Sequence, residues 1–182
     1  MIKTTLASLL VFSGLLTTTL TANAHSSCVM NNKTGELQFM PDNTMEIAIG
    51  SKMANDMTKE TFVGAIDHVA EMFQPFFAKV NAKLTVNKLW EDNTVNASAS
   101  QGRNGNWIVN MYGGLARHQM VTVDGLILVL CHEIGHHLGG APKYQGGRNW
   151  ASAEGQSDYY GSLKCFRRVV ANEDNVAIVT KM

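Results

Sequence analysis

His132-Glu133-Ile134-Gly135-His136 places two histidines four residues apart with a glutamate beside the first. On an α-helix that spacing sets the side chains one turn apart and about 40° around the axis, so both imidazoles project the same way. Two neutral imidazoles so placed can bind one zinc ion at about 2.0–2.1 Å each. Glu133 projects from the adjacent flank, where it can reach a water on the metal without being a ligand, as a zinc-water hydrolase requires. The preceding residues Leu126-Ile127-Leu128-Val129-Leu130 are strongly apolar. A buried helix has little other reason to carry two histidines and a glutamate, because burying unpaired polar groups is costly.

A third protein ligand is needed. One zinc pattern continues with a glycine three residues and a histidine six residues after the second histidine. Gly139 fits it, but Pro142 holds the last position and cannot ligate. A second pattern takes a glutamate from a following helix, and Ala153-Glu154-Gly155-Gln156-Ser157-Asp158 supplies one. Glu154 and Asp158 share a helix face, so Glu154 can ligate while Asp158 accepts an N–H from a ligating histidine and fixes its tautomer. Acidic residues are also ordinary in the first turn of a helix. Beside the histidine pair they read as ligand and support.

The His-Glu-x-x-His helix with a downstream Glu-x-x-x-Asp helix resembles the gluzincin metallopeptidases. It is most similar to the family of the CAAX prenyl endopeptidase and bacterial periplasmic quality-control proteases. The motif residues run from Leu84 to Arg168 and include Asn96-Ala97, Ile108-Val109-Asn110-Met111 and Gly114-Leu115. The resemblance implies zinc endopeptidase activity, ligands His132, His136 and Glu154, and Glu133 as general base. It also implies an edge strand, Trp107, Ile108, Val109, Asn110, Met111 and Tyr112, that pairs with an extended peptide. Two departures stand out: no flanking transmembrane helices are expected, and the chain stops soon after the ligand helix. Tyr144, Arg148, Tyr159 and Tyr160 are candidate donors to an oxyanion. His137, at the helix end, is read as structural.

The elements that must position these residues follow from hydrophobic spacing. Helices are predicted from Thr44, with Met45, Ile49, Met53 and Met57 on one side, and again after Thr58, with Phe62, Ile66, Val69 and Phe73; Pro75 should kink or end the second. Between Leu84 and Tyr112, short alternating runs separated by Gly/Asn clusters predict antiparallel strands and a hairpin. Gly113-Gly114 ends the last strand. The motif helix should start near Thr122 and stop at Gly139-Gly140, and a final helix should run from Ser152 or Ala153 to about Ala171. The expected fold is α+β and zincin-like: a small, mainly antiparallel sheet packed with helices, with one Zn2+ per chain between the motif helix and the ligand helix.

The 182 residues suffice for one domain, and a hydrophobic fraction of 45% supports an ordinary core. Net charge is zero, with no basic block, which argues against nucleic acid as a partner. Residues 1–24 have a positive start at Lys3, an apolar stretch and the small-x-small end Ala22-Asn23-Ala24. They read as a signal peptide, so the mature chain is expected to be exported to a periplasm or secreted, without stable membrane insertion. An amino-terminal His25 also invites a copper brace, but only His68 and His118 lie outside the main motif, so it reads as coincidence. Residues 25–43 then connect to a domain spanning 44–171, followed by a loosely structured tail, 172–182. Of three cysteines, Cys131 reads as a small buried hydrophobe, leaving a Cys28–Cys165 bridge as the candidate pair. The functional expectation is an exported zinc endopeptidase acting on peptides or unfolded proteins. The alternative is a non-catalytic, zinc-stabilised peptide-binding or chaperone-like module.

Overall fold

A computed structural model describes residues 36–146 and 149–180. The signal segment, His25, Cys28 and Arg148 lie outside the described residues.

Thr58 opens the first helix, α1 (Lys59–Ala78), by accepting the Thr61 amide on its hydroxyl at 3.2 Å. Phe62, Ile66, Val69, Phe73 and Phe77 form its buried stripe. The helix passes through Pro75 instead of ending there. Proline's fixed φ is compatible with a helix, so α1 continues for one more turn although Pro75 has no N–H to donate to the turn before it.

The helix expected from Thr44 does not form: residues 44–58 are turns, anchored by bridges Glu46–Thr94 and Ala54–His118. The reason is local. Asn43, Ser51 and Asn55 each accept the amide two residues on, from Met45, Met53 and Met57, and these turns compete with a helical backbone. Met45, Ile49 and Met53 are exposed, and Ile47, off the expected stripe, is buried instead.

Four strands form one sheet in the order β1-β3-β4-β2: β1 (Leu37–Gln38), β2 (Lys83–Leu89), β3 (Ala97–Gln101) and β4 (Asn106–Tyr112). The hairpin β3–β4 is antiparallel, as its Gly/Asn turn suggested, and β1 joins β3 antiparallel. β2, however, pairs parallel with β4 from Lys83–Asn106 to Leu89–Tyr112, so the sheet is mixed, not mainly antiparallel. Residues 90–96 carry the chain past β4 before the hairpin turns back, leaving β4 between β3 and β2. Trp107–Tyr112 is therefore an interior strand with both edges paired, which corrects its expected role as the peptide-binding edge.

Ala97, Val109 and Met111 face the helices and join a core with Phe62, Phe73, Leu126 and Leu130. On the opposite face, Asn87 donates to Asn110 at 2.7 Å and Asn110 to Ser98 at 3.0 Å, a polar ladder across three strands. After β4 a short helix α2 (Gly113–Ala116) leads to the motif helix α3 (Val123–Leu138), capped by the Thr122 hydroxyl.

The last helical stretch starts as α4 (Glu154–Tyr160), widens into a π-helical segment (Gly161–Phe166) and closes as α5 (Arg167–Val169). Residues 175–180 of the expected loose tail form a helix, α6 (Asn175–Thr180). Among the described residues no helix is long and apolar enough to cross a membrane.

Candidate metal centre

A seam of small residues lets α3 and α4 cross closely enough to share a site. A β-carbon on Gly135 would meet the Ser157 backbone at 2.8–2.9 Å, and one on Gly161 would meet the His132 backbone at 3.1–3.2 Å. The same seam carries a Cys131–Cys165 disulfide, with Cα atoms 5.5 Å apart. This corrects both cysteine expectations: Cys165 follows Ser157 and Gly161 on the face toward α3, and there it meets Cys131. Helices normally pack 8–10 Å apart according to the side chains at the contact, so glycines and serines here permit a close crossing.

That crossing gathers His132, His136 and Glu154, whose candidate ligand atoms all lie within 4.8 Å of one another. Glu154 Oε2 is 3.2 Å from His132 Nε2 and 3.6 Å from His136 Nε2. Both Nε2 atoms are buried and have no hydrogen-bond partner. The opposite ring nitrogens are engaged. His132 Nδ1–H donates to Asp158 Oδ1 at 2.8 Å. His136 Nδ1–H donates to the Ser152 carbonyl at 2.9 Å, with the Ser157 hydroxyl equally close. With Nδ1 carrying the proton, each Nε2 lone pair is directed at the space beside Glu154. The site is thus two buried imidazoles and a carboxylate that could hold a metal ion.

Ser152, Ser157 and Tyr144 complete this support. Ser152 also donates its amide to the His136 carbonyl and its hydroxyl to the Gly140 carbonyl, pinning the end of the 139–151 loop to the end of α3. Tyr144, one of the four residues that could have donated to an oxyanion, donates its hydroxyl to Glu154 Oε1 and so orients the carboxylate. Gln156 reaches back to the Gly139 carbonyl at 2.6 Å. Spacing alone did not reveal these roles, although the i, i+4 recurrence of Cys131, Gly135 and Gly139 is a readable signal of close helix packing.

Glu133 is fully buried and neither of its carboxylate oxygens has a hydrogen-bond partner. Burial, opposed by His132 and assisted by Glu154, pushes its pKa up to about 8. Burial pulls His136 down to about 4. Burial also opposes charge on His132, but Glu154, Glu133 and Asp158 together hold it up at about 9. Of these three groups only His132 is favoured as a cation; burial favours the neutral form of both Glu133 and His136.

His137 is structural, though not through a helix-end charge. Its ring stacks between Trp107 and Trp150, with centroids 5.2 and 5.1 Å away, and Nε2–H donates to the Ile108 carbonyl at 3.3 Å. Burial lowers its pKa to about 3, so it stays neutral. Tyr159 is about half exposed, and Tyr160 packs against the core.

Comparison with family models, curated proteins and solved structures found no match to this chain.

Proposed function

We propose that this protein is an exported zinc endopeptidase of zincin-like architecture, hydrolysing peptide bonds in extended or unfolded chains. The observation that carries the reading is the pair of buried, unpartnered Nε2 atoms converging on Glu154, each with its Nδ1 held by Asp158 or by Ser152 and Ser157. Nitrogen and carboxylate donors in a buried three-residue set suit zinc, and three protein ligands leave the fourth position open, as in catalytic sites.

When bound, zinc supplies Lewis-acid polarisation of a carbonyl and lowers the pKa of water to about 7. Glu133 accepts the proton of the attacking water on a carboxylate oxygen, and the oxygen of that water adds to the scissile carbonyl carbon. Glu133 then passes the proton to the amide nitrogen as the C–N bond breaks. Burial without hydrogen-bond partners raises the basicity of the Glu133 carboxylate, which in its ionised form suits it to take up a proton and release it again. Export is supported by the Cys131–Cys165 disulfide, a bond that persists in oxidising compartments.

Elemental analysis of the purified protein should find about one zinc per chain, with casein cleavage that stops on adding a chelator. Glu133→Gln should keep the metal and lower turnover by about a hundredfold or more. Zinc without cleavage, and peptide binding indifferent to Glu133→Gln, would instead establish a zinc-stabilised peptide-holding module. Absence of zinc would sink both readings.

A further inference from the structure

We propose that residues 36–40 are a built-in occupant of the peptide groove, which an external extended peptide must displace from β3. The inference rests on the peptidase reading for the identity of the metal site, but its evidence is the strand itself. β4 is paired on both sides and β3 lies between β4 and β1, so residues 36–40 cover the flank of β3 that would otherwise be the sheet edge. Leu37 and Gln38 pair antiparallel with Ala99 and Ser98, and the Phe39 amide donates to the Ala97 carbonyl at 2.9 Å.

Asn96 then brackets the next residue: its Oδ1 accepts the Met40 amide at 2.8 Å and its Nδ2 donates to the Met40 carbonyl at 3.1 Å. Asn96 is almost fully buried, so its amide is a fixed reader of backbone. These main-chain contacts read peptide groups, so another extended chain can make them; Glu36 and Gln38 add side-chain bonds, to Ser98 and Asn110 and to Asn96 respectively.

The placement of Phe39 ties the strand to the metal site. Its ring meets the His132 ring edge-on, with centroids 5.5 Å apart. It also walls an apolar cavity of about 350 Å³ whose other sides include Val129, His132 and Gly161. A substrate laid on β3 in place of residues 36–40 would set its own side chain where the Phe39 ring now stands, beside that cavity and against the candidate ligand His132. The groove therefore takes an extended peptide with a large apolar residue at the Phe39 position. The anchor that makes residues 36–40 a competitor is Leu37, which is fully buried.

The test uses the full zinc-loaded chain carrying Glu133→Gln, so that no probe is cut, and a fluorescein-labelled peptide copying residues 34–42. Phe39→Ala empties the wall of the cavity, and Met40→Pro removes the amide that Asn96 reads. In either background the labelled peptide should bind about tenfold more tightly than without the second change, since loss of apolar burial in the one and of a backbone hydrogen bond in the other weakens the resident strand. Hydrogen exchange supplies a readout that needs no change to residues 36–40: the Phe39 amide should lose protection when the peptide is added. Equal affinity in all backgrounds with unchanged exchange at Phe39 would overturn the occupant, and so would failure of the peptide to bind any of them. Casein cleavage by the chain with Glu133 intact is scored separately. Tighter peptide binding without cleavage keeps the groove and rejects the peptidase, whereas cleavage with equal affinities does the reverse.

Discussion

Asp158 sits at the surface, with its side chain 72% exposed, yet it holds a histidine that is almost fully buried. Its worth lies in direction: by accepting Nδ1–H it leaves the His132 Nε2 lone pair facing Glu154. Asp158→Ala should therefore lower zinc affinity by about 10–100-fold, measured by competition with a chromophoric chelator. An unchanged affinity would show that Asp158 is only a surface carboxylate. At this scale the candidate ligands were readable because four-residue spacing is a property of the chain. The partners of His136 were not, since Ser152 and Ser157 acquire their roles only where the loop returns to α3.

Between the two ligand helices the decisive property is how near their backbones come. Gly135 touches the Ser157 backbone, whereas Gly155, also helical, has open space around it. Gly135→Ala should destabilise the fold by about 1–3 kcal/mol and weaken zinc binding by forcing the helices apart. Gly155→Ala should leave stability equal or raise it by up to about 1 kcal/mol, because alanine is the better helix former. Thermal melts and chelator competition on both variants measure the contrast, and equal behaviour would refute a tight seam. Helix existence was legible from apolar periodicity in α1 and α3. The false helix after Thr44 carried the same spacing, but Asn43, Ser51 and Asn55 turned their own backbone instead.

Across the whole molecule, Arg117 ties the non-helical segment before α1 to the connection between β2 and β3. It is buried, donates Nε–H to the Ile47 carbonyl and a terminal N–H to the Trp90 carbonyl, and lies over the Trp90 ring at 4.9 Å. A second terminal nitrogen reaches the Asp92 carbonyl and Asn93 Oδ1. Arg117→Met keeps much of the volume but orphans these acceptors. It should lower stability by about 3 kcal/mol in urea melts, while the folded fraction still binds one zinc. Loss of zinc at full folding would contradict that separation.

The sequence by itself determined the chemistry on offer: a histidine pair on an apolar helix, a glutamate flanking it, and a Glu–Asp pair on a later helix. These follow from short-range geometry, because a helix converts spacing into direction. Tertiary structure decided which strand is exposed, which cysteines meet and which serines support the imidazoles. Strand order depends on how the connection 90–96 crosses the sheet, and alternation within Trp107–Tyr112 reads the same in an interior strand as at an edge. Pairing of Cys131 with Cys165 depends on two helices crossing, a contact between residues 34 apart that no local pattern encodes.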